Sequence, residues 1–260
     1  MPVFAILEQR TPEWFEWRRN GITATDSPII AGISPYSTAR RLWGEKSGLT
    51  KAREANPFAV RRGILFESAA LELWSQKHDD FALPACCEWS QDRKFRASFD
   101  GLPASGRPVE IKCFGRKNLK EIGARGLGAK CVQHCIMQVQ HQLLVAEADL
   151  GCLVFYDPDS TEGIHEFEIA RDEKTVREIV ERGNVFWECL LSGKELPEKL
   201  FPREKSEPAA GANPATGAAV SSLSSFSSAR PAGCTDPSST PIPSGPRDRP
   251  ESGPLPTLWF

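Results

Sequence analysis

Two acids and an amine stand at a spacing that can do chemistry in Ser98-Phe99-Asp100-Gly101-Leu102 and Pro108-Val109-Glu110-Ile111-Lys112-Cys113. Side chains two apart on a strand share a face, so Glu110 and Lys112 point the same way while Val109, Ile111 and Cys113 point into the core. Asp100 reads as the end of the preceding strand, with Gly101 letting the chain turn so that its carboxylate approaches Glu110. Two carboxylates at the mouth of a sheet form a hard oxygen site of the kind that binds Mg²⁺ or Mn²⁺, because a bound cation relieves their repulsion. The neighbouring lysine can orient an attacking water and offset negative charge as it builds on phosphorus. The plainer reading of Glu-x-Lys is an ordinary exposed strand face, since such tripeptides are common. The Asp-Gly hairpin in front of it favours a site.

The elements that must position these residues read as mixed α/β. Residues 12–19 suit a short helix. Thr25 or Asp26 can cap another that begins at Ser27-Pro28, and Ser37 can cap a helix running to Lys46. Asn56-Pro57 offers a cap acceptor and a ring pre-set for the first turn of a helix reaching about Lys77, with Phe58, Leu65, Ala69, Leu73 and Trp74 at helical spacing. Strands are expected over 81–89, 95–99 and 108–114, the last two joined as an antiparallel hairpin by a turn containing Gly101, Pro103 and Gly106. Helical periodicity returns over 131–146. Strands follow over 150–156 and 164–169, then an amphipathic helix over 172–192 that stops at Gly193.

The 260 residues are 40% hydrophobic and 25% charged, which suits one catalytic domain over residues 1–205. From Ser206 the composition turns to Pro, Ser, Ala and Gly without apolar periodicity. Residues 206–260 therefore read as a disordered tail, and its hydrophobic tip, Leu255-Pro256-Thr257-Leu258-Trp259-Phe260, is either a docking peptide or a frayed end. No apolar run is long enough to span a bilayer and no secretory signal opens the chain, so a cytoplasmic location is expected, with the eight cysteines as thiols. A net charge of -2 argues against a nucleic-acid binder at first sight. A nuclease escapes that objection, because its gathered carboxylates cancel a basic stripe in the sum; candidates for the stripe are Arg18, Arg19, Arg40, Arg41, Arg61, Arg62, Arg116, Lys117 and Lys120.

An ordered series of short motifs resembles the lambda exonuclease and YqaJ-type viral recombinase nucleases, within the PD-(D/E)XK superfamily. Trp14 through Arg18 with Gly21-Ile22-Thr23-Ala24-Thr25 matches the opening motif, and Gly63 through Glu67 the glycine-to-glutamate helix. Phe99-Asp100-Gly101-Leu102 with Glu110-Ile111-Lys112-Cys113 matches the core. Gln138-Val139-Gln140 matches the glutamine helix, and Tyr156-Asp157-Pro158 recurs on the strand after it. Cys135, where tyrosine is frequent, and Phe114, where proline is frequent, depart from the pattern and put substrate fit in doubt more than activity.

The resemblance implies a restriction-endonuclease-like core, a central mixed sheet flanked by helices. It also implies a metal-dependent exonuclease that degrades the 5′-phosphorylated strand of linear duplex DNA by two-metal hydrolysis. By the same resemblance Asp100, Glu110, the main-chain carbonyl of Ile111 and Glu67 hold the metal, Lys112 activates water, and Gln138 positions it. Arg18 and Thr25 form a pocket for a 5′ phosphate. A homotrimeric ring and a single-strand annealing partner are further implications. An iron-sulfur cluster, found in some nucleases of the class, is not expected, because Cys86-Cys87 and Cys131-x-x-x-Cys135 lack the late C-x-x-C spacing. The competing readings are an endonuclease of the same class, a catalytically idle DNA-end binder, and an interaction protein driven by its tail.

Overall fold

The computed structural model describes residues 1–51, 57–158 and 163–202, so the readings that fall on Asn56, on the side chain of Phe58 and on the tail from 206 lie outside the described residues. The elements are β1 (Val3–Ala5), α1 (Pro12–Arg19), β2 (Ile22–Thr23), α2 (Asp26–Ile30), α3 (Ala39–Lys46), α4 (Pro57–His78), β3 (Ala82–Glu88), β4 (Phe95–Pro103), β5 (Val109–Lys112), α5 (Arg116–Arg125), α6 (Gln133–Ala146), β6 (Leu150–Tyr156), β7 (Ile164–Ala170) and α7 (Glu173–Ser192). One mixed sheet runs β1-β3-β4-β5-β6-β7, antiparallel at every step except β5 to β6, with β2 joined in parallel to β4 off that path.

Local chemistry sets the helix ends. Thr11 accepts from the Trp14 amide ahead of Pro12, and Asp172 accepts from the Lys174 and Thr175 amides at the start of α7. The last helix ends on Gly193, whose φ of 65° is the left-handed conformation that glycine adopts without cost.

The central strands are covered on both faces. Val109 and Ile111 pack with Ala70, Leu71 and Trp74 of α4, together with Cys152 and Val154 of the neighbouring strand. On the opposite face Leu153 and Phe155 pack against Val139 and Leu143 of α6. Glu110 is the register partner of Leu153, so it looks toward α6 and is 1% exposed. The alternative of a solvated strand face is therefore overturned.

Several expectations are corrected. Thr38, not Ser37, caps α3, its side chain accepting from the Arg41 amide. The next-earlier helix begins at Asp26, one residue before Ser27, and Thr25 at its cap position makes no capping bond. Gly101 and Pro103 lie inside β4, which runs on past Phe99, and the turn centres on Gly106 at φ 76°. Strand pairing continues because Gly101 sits opposite Val109, and a Cβ there would come 2.4 Å from Leu71 Cδ1. The residue is needed for close packing, not for turning. In α4 the buried stripe is Ala70, Leu71 and Trp74, whereas Leu65 and Leu73 are exposed. The helix α5 escaped the periodicity reading because only Leu119 and Ile122 of its ten residues are buried, and β1 and β2 are too short to alternate visibly.

Candidate active site

Asp100, Glu110 and Lys112 are brought together by the β4–β5 pairing. Asp100 Oδ2 accepts from the Ile111 amide at 2.7 Å, which locks the acid to the adjacent strand and fixes the peptide unit between Glu110 and Ile111. Glu110 Oε1 accepts from both Lys112 Nζ and Gln138 Nε2, and its Oε2 accepts from Gln142 Nε2. A buried carboxyl group is costly unless such donors satisfy its lone pairs. Three converge on it, two from one helical turn of α6.

Glu67 enters from α4. Positions 67, 70, 71 and 74 follow the i, i+3, i+4, i+7 spacing of one helix face, so the residues that bury α4 against the sheet also aim Glu67 at it. Its Oε2 is held by Arg10 Nη2 at 2.6 Å.

The electrostatics tie the group together. Burial raises the Asp100 carboxyl well above its ordinary range, and the charges of Glu110 and Glu67 push it further. Burial likewise raises Glu67, with Arg10 opposing and Glu110 adding to the rise. For Lys112, burial works against the charged form, but Glu110, with smaller contributions from Cys135 and Asp100, more than offsets it, so the amine is held above its ordinary value. It is a fixed cation and hydrogen-bond donor.

The donor set, carboxylates and a main-chain carbonyl with no histidine or thiolate among them, suits a hard divalent ion. Among the described residues no group of three or more His, Cys, Asp or Glu side chains is gathered so that it could by itself hold a metal ion. Magnesium does not require one, since it keeps several waters and takes one or two carboxylates. Mutual repulsion at Asp100 is what a cation would relieve, so the residues present fit it.

Arg18 and Thr25 also meet: Arg18 Nη2 donates to Thr25 Oγ1 at 2.7 Å, and Thr25 Oγ1 lies 3.0 Å from Thr23 Oγ1. The guanidinium lies 4.5 Å from the centroid of the Trp14 ring. Burial lowers the Arg18 value, opposed by Asp26 and also by Glu110 and Asp100, so this pair is within electrostatic reach of the two central acids.

Sequence reasoning missed four residues here. Asp26 and Lys46 form a buried ion pair at 3.1 Å beneath Arg18, with Asp26 Oδ2 accepting from the Thr23 amide and Lys46 Nζ donating to the carbonyls of Arg18 and Gly21. Twenty residues separate them and no short-range pattern links them. Arg10 had no signal either. Gln142 had one, since it lies four residues after Gln138 on the same face. Gln140, by contrast, does not reach the acids and instead joins Ala170 O to the Asp172 amide. Of the basic stripe, Arg40 and Arg41 are engaged within the fold, by Leu196 O and Glu45.

The fold has known counterparts. The crystal structure of an alkaline exonuclease (LHK-Exo) from Laribacter hongkongensis superposes with a TM-score of 0.60 at 22% identity, over 70% of this chain and 94% of that one. The same enzyme solved in complex with dAMP gives 0.61 over the same shares of the two chains, also at 22% identity. At this identity the likeness establishes a shared fold. No curated protein matches the chain. The motif series read from Trp14 to Gln140 falls within residues 13–149, whereas Tyr156-Asp157-Pro158 lies beyond them. Over those residues, more than half its length, the chain matches the YqaJ-like viral recombinase domain and belongs to that family.

Proposed function

We propose that the protein is a Mg²⁺-dependent exonuclease that degrades the 5′-phosphorylated strand of linear double-stranded DNA. The observation that carries this reading is the buried Glu110, oriented by Lys112, Gln138 and Gln142 and set beside an Asp100 whose ionisation the other acids oppose. Asp100, Glu110, the Ile111 carbonyl and Glu67 would hold the metal, with Mn²⁺ as an alternative ion. When bound, the cation supplies Lewis-acid charge at the scissile phosphate.

The chain's own residues do the rest. Lys112, a fixed cation, donates toward the phosphoryl oxygens or the attacking water and stabilises charge that grows in the transition state. Gln138, bonded to Glu110, is placed to orient that water. Arg18 and Thr25 offer a guanidinium fork and a hydroxyl to a terminal 5′ phosphate, and their position within reach of Asp100 and Glu110 favours cleavage close to an end. The solved complex of the alkaline exonuclease holds dAMP, a mononucleotide, which is the form of product such a reading predicts.

The test is digestion of linear duplexes labelled at either end, with 5′-phosphate or 5′-hydroxyl termini, with and without Mg²⁺, for wild type and Lys112→Ala. Metal-dependent release of nucleotides from 5′-phosphorylated ends by wild type alone is expected. Cutting of covalently closed circles would identify an endonuclease instead, retained binding without digestion an idle end binder, and full digestion by the variant would remove Lys112 from the mechanism.

A further inference from the structure

An arginine that the fold does not use for itself stands on the α4 side of the site. Arg62 lies five residues before Glu67, and its guanidinium carbon sits 5.3 Å from the centroid of the Phe66 ring. Phe66 in turn packs on Tyr156, ring centroids 5.7 Å apart. Tyr156 follows Phe155, the register partner of Lys112, so this aromatic shelf stands beside the end of the strand that carries the catalytic pair.

Among the described residues no hydrogen bond or ion pair engages Arg62, and its Nε is buried without an acceptor. An unsatisfied buried donor is costly. Other arginines around the site are committed: Arg10 to Glu67, and Arg18 to Thr25. Arg62 sits instead over the Phe66 ring as a cation–π contact, which leaves its terminal nitrogens uncommitted. A planar, uncommitted fork at the rim of an acidic centre is complementary to a phosphodiester oxygen pair.

Resting on the nuclease reading above, we infer that Arg62 is a phosphate receptor that grips the DNA backbone at a non-scissile phosphate, on the opposite helix from Arg18. The strand would then run from the Arg18–Thr25 pair, across Asp100 and Glu110, to the Arg62–Phe66–Tyr156 shelf. Arg62 is a positioning residue: it pulls the duplex onto the acids, whose own charge repels DNA.

The test measures equilibrium binding of a fluorescently labelled 5′-phosphorylated duplex to the full chain in EDTA across a salt series, together with steady-state digestion in Mg²⁺. Arg62→Gln keeps the aliphatic stem over Phe66 but loses the charge, and Arg62→Lys keeps the charge but loses the fork. Binding by Arg62→Gln should weaken about tenfold, as for one charge-assisted bond, and the slope of log K against log salt should fall by about 1. KM should rise by a similar factor with kcat within about twofold, and Arg62→Lys should recover the salt slope. Melting temperatures show whether either variant is folded, and Arg62→Lys provides the test alone if Arg62→Gln is not, by a tenfold rise in KM from loss of the fork. A wild type that neither binds nor digests DNA overturns the nuclease reading and this inference with it. A wild type that digests DNA, beside folded variants with unchanged KM and salt slope, overturns the inference alone.

Discussion

His141 should make the stability of this protein depend on pH in a calculable way. It is fully buried on α6, with Nδ1 2.7 Å from Ser27 Oγ and Nε2 3.0 Å from Arg96 O. A carbonyl can only accept, so Nε2 carries the proton, and Ser27 donates to Nδ1. Both nitrogens are thus satisfied in the neutral ring, and a second proton would force the serine bond to reverse. Burial accordingly lowers the value from 6.5 to about 4, slightly opposed by the Arg96 carbonyl and Asp26. The folded value is depressed, so the unfolded chain binds the proton first. The contribution is complete above the unfolded value and is lost as pH falls toward the folded one. Each pH unit below the unfolded value removes about 1.36 kcal/mol, so folding should lose roughly 2 kcal/mol between about pH 8 and about pH 5 through this ring alone. Urea denaturation of wild type and His141→Gln at both pH values isolates it, because the non-titrating variant keeps every other titration. The wild type should lose about 2 kcal/mol more than the variant over that interval. Equal losses would show that His141 is not neutral and buried in the fold.

Contacts invisible in the sequence can be tested in the same way. Gln142→Leu removes a donor to Glu110 but also removes Gln142 Oε1, a buried acceptor without a partner, so unfolding free energy should change by only about 1 kcal/mol while nuclease activity falls at least about tenfold; denaturation and digestion assays on the same preparation check this. Gln140→Leu, two residues away, should do the reverse, losing about 1–3 kcal/mol with digestion per folded molecule unchanged. For the buried pair, Asp26→Asn or Lys46→Met alone should cost about 3–5 kcal/mol, whereas a double-mutant cycle should show the combined change costing far less than the sum.

What the sequence made legible was the part of the site carried by neighbouring residues. Glu110 and Lys112 are two apart on one strand, Asp100 lies across a hairpin from them, and Gln138 sits on a helix of strong periodicity. Their grouping survives although the strand before the hairpin is longer than its turn signals suggested, because Gly101 and Pro103 read as punctuation whether they turn a chain or make room for a packed leucine. Arg18 and Thr25 came from the motif series, and the structure joins them by a hydrogen bond. Asp26 with Lys46, and Arg10 with Glu67, were out of reach for a different reason. Each pair is made by segments whose meeting is decided by tertiary packing, and no local rule encodes it.

The burial of Glu110 explains why α6 has to be both a core helix and part of the site. Alternation along β5 predicts an acid on an open face, yet both faces are covered, and a carboxyl group at 1% exposure is tolerable only with its lone pairs satisfied. Val139 and Leu143 supply the apolar packing; Gln138 and Gln142, one position earlier in each turn, supply two of the three donors. Adjacent helical stripes therefore solve the packing problem and the charge problem at once. The third donor is Lys112, and its bond to Glu110 is also what keeps the amine charged against its own burial. Losing Glu110 would thus change Lys112 as well as the proposed metal site, which makes the two residues one functional unit whose deletion effects should not add.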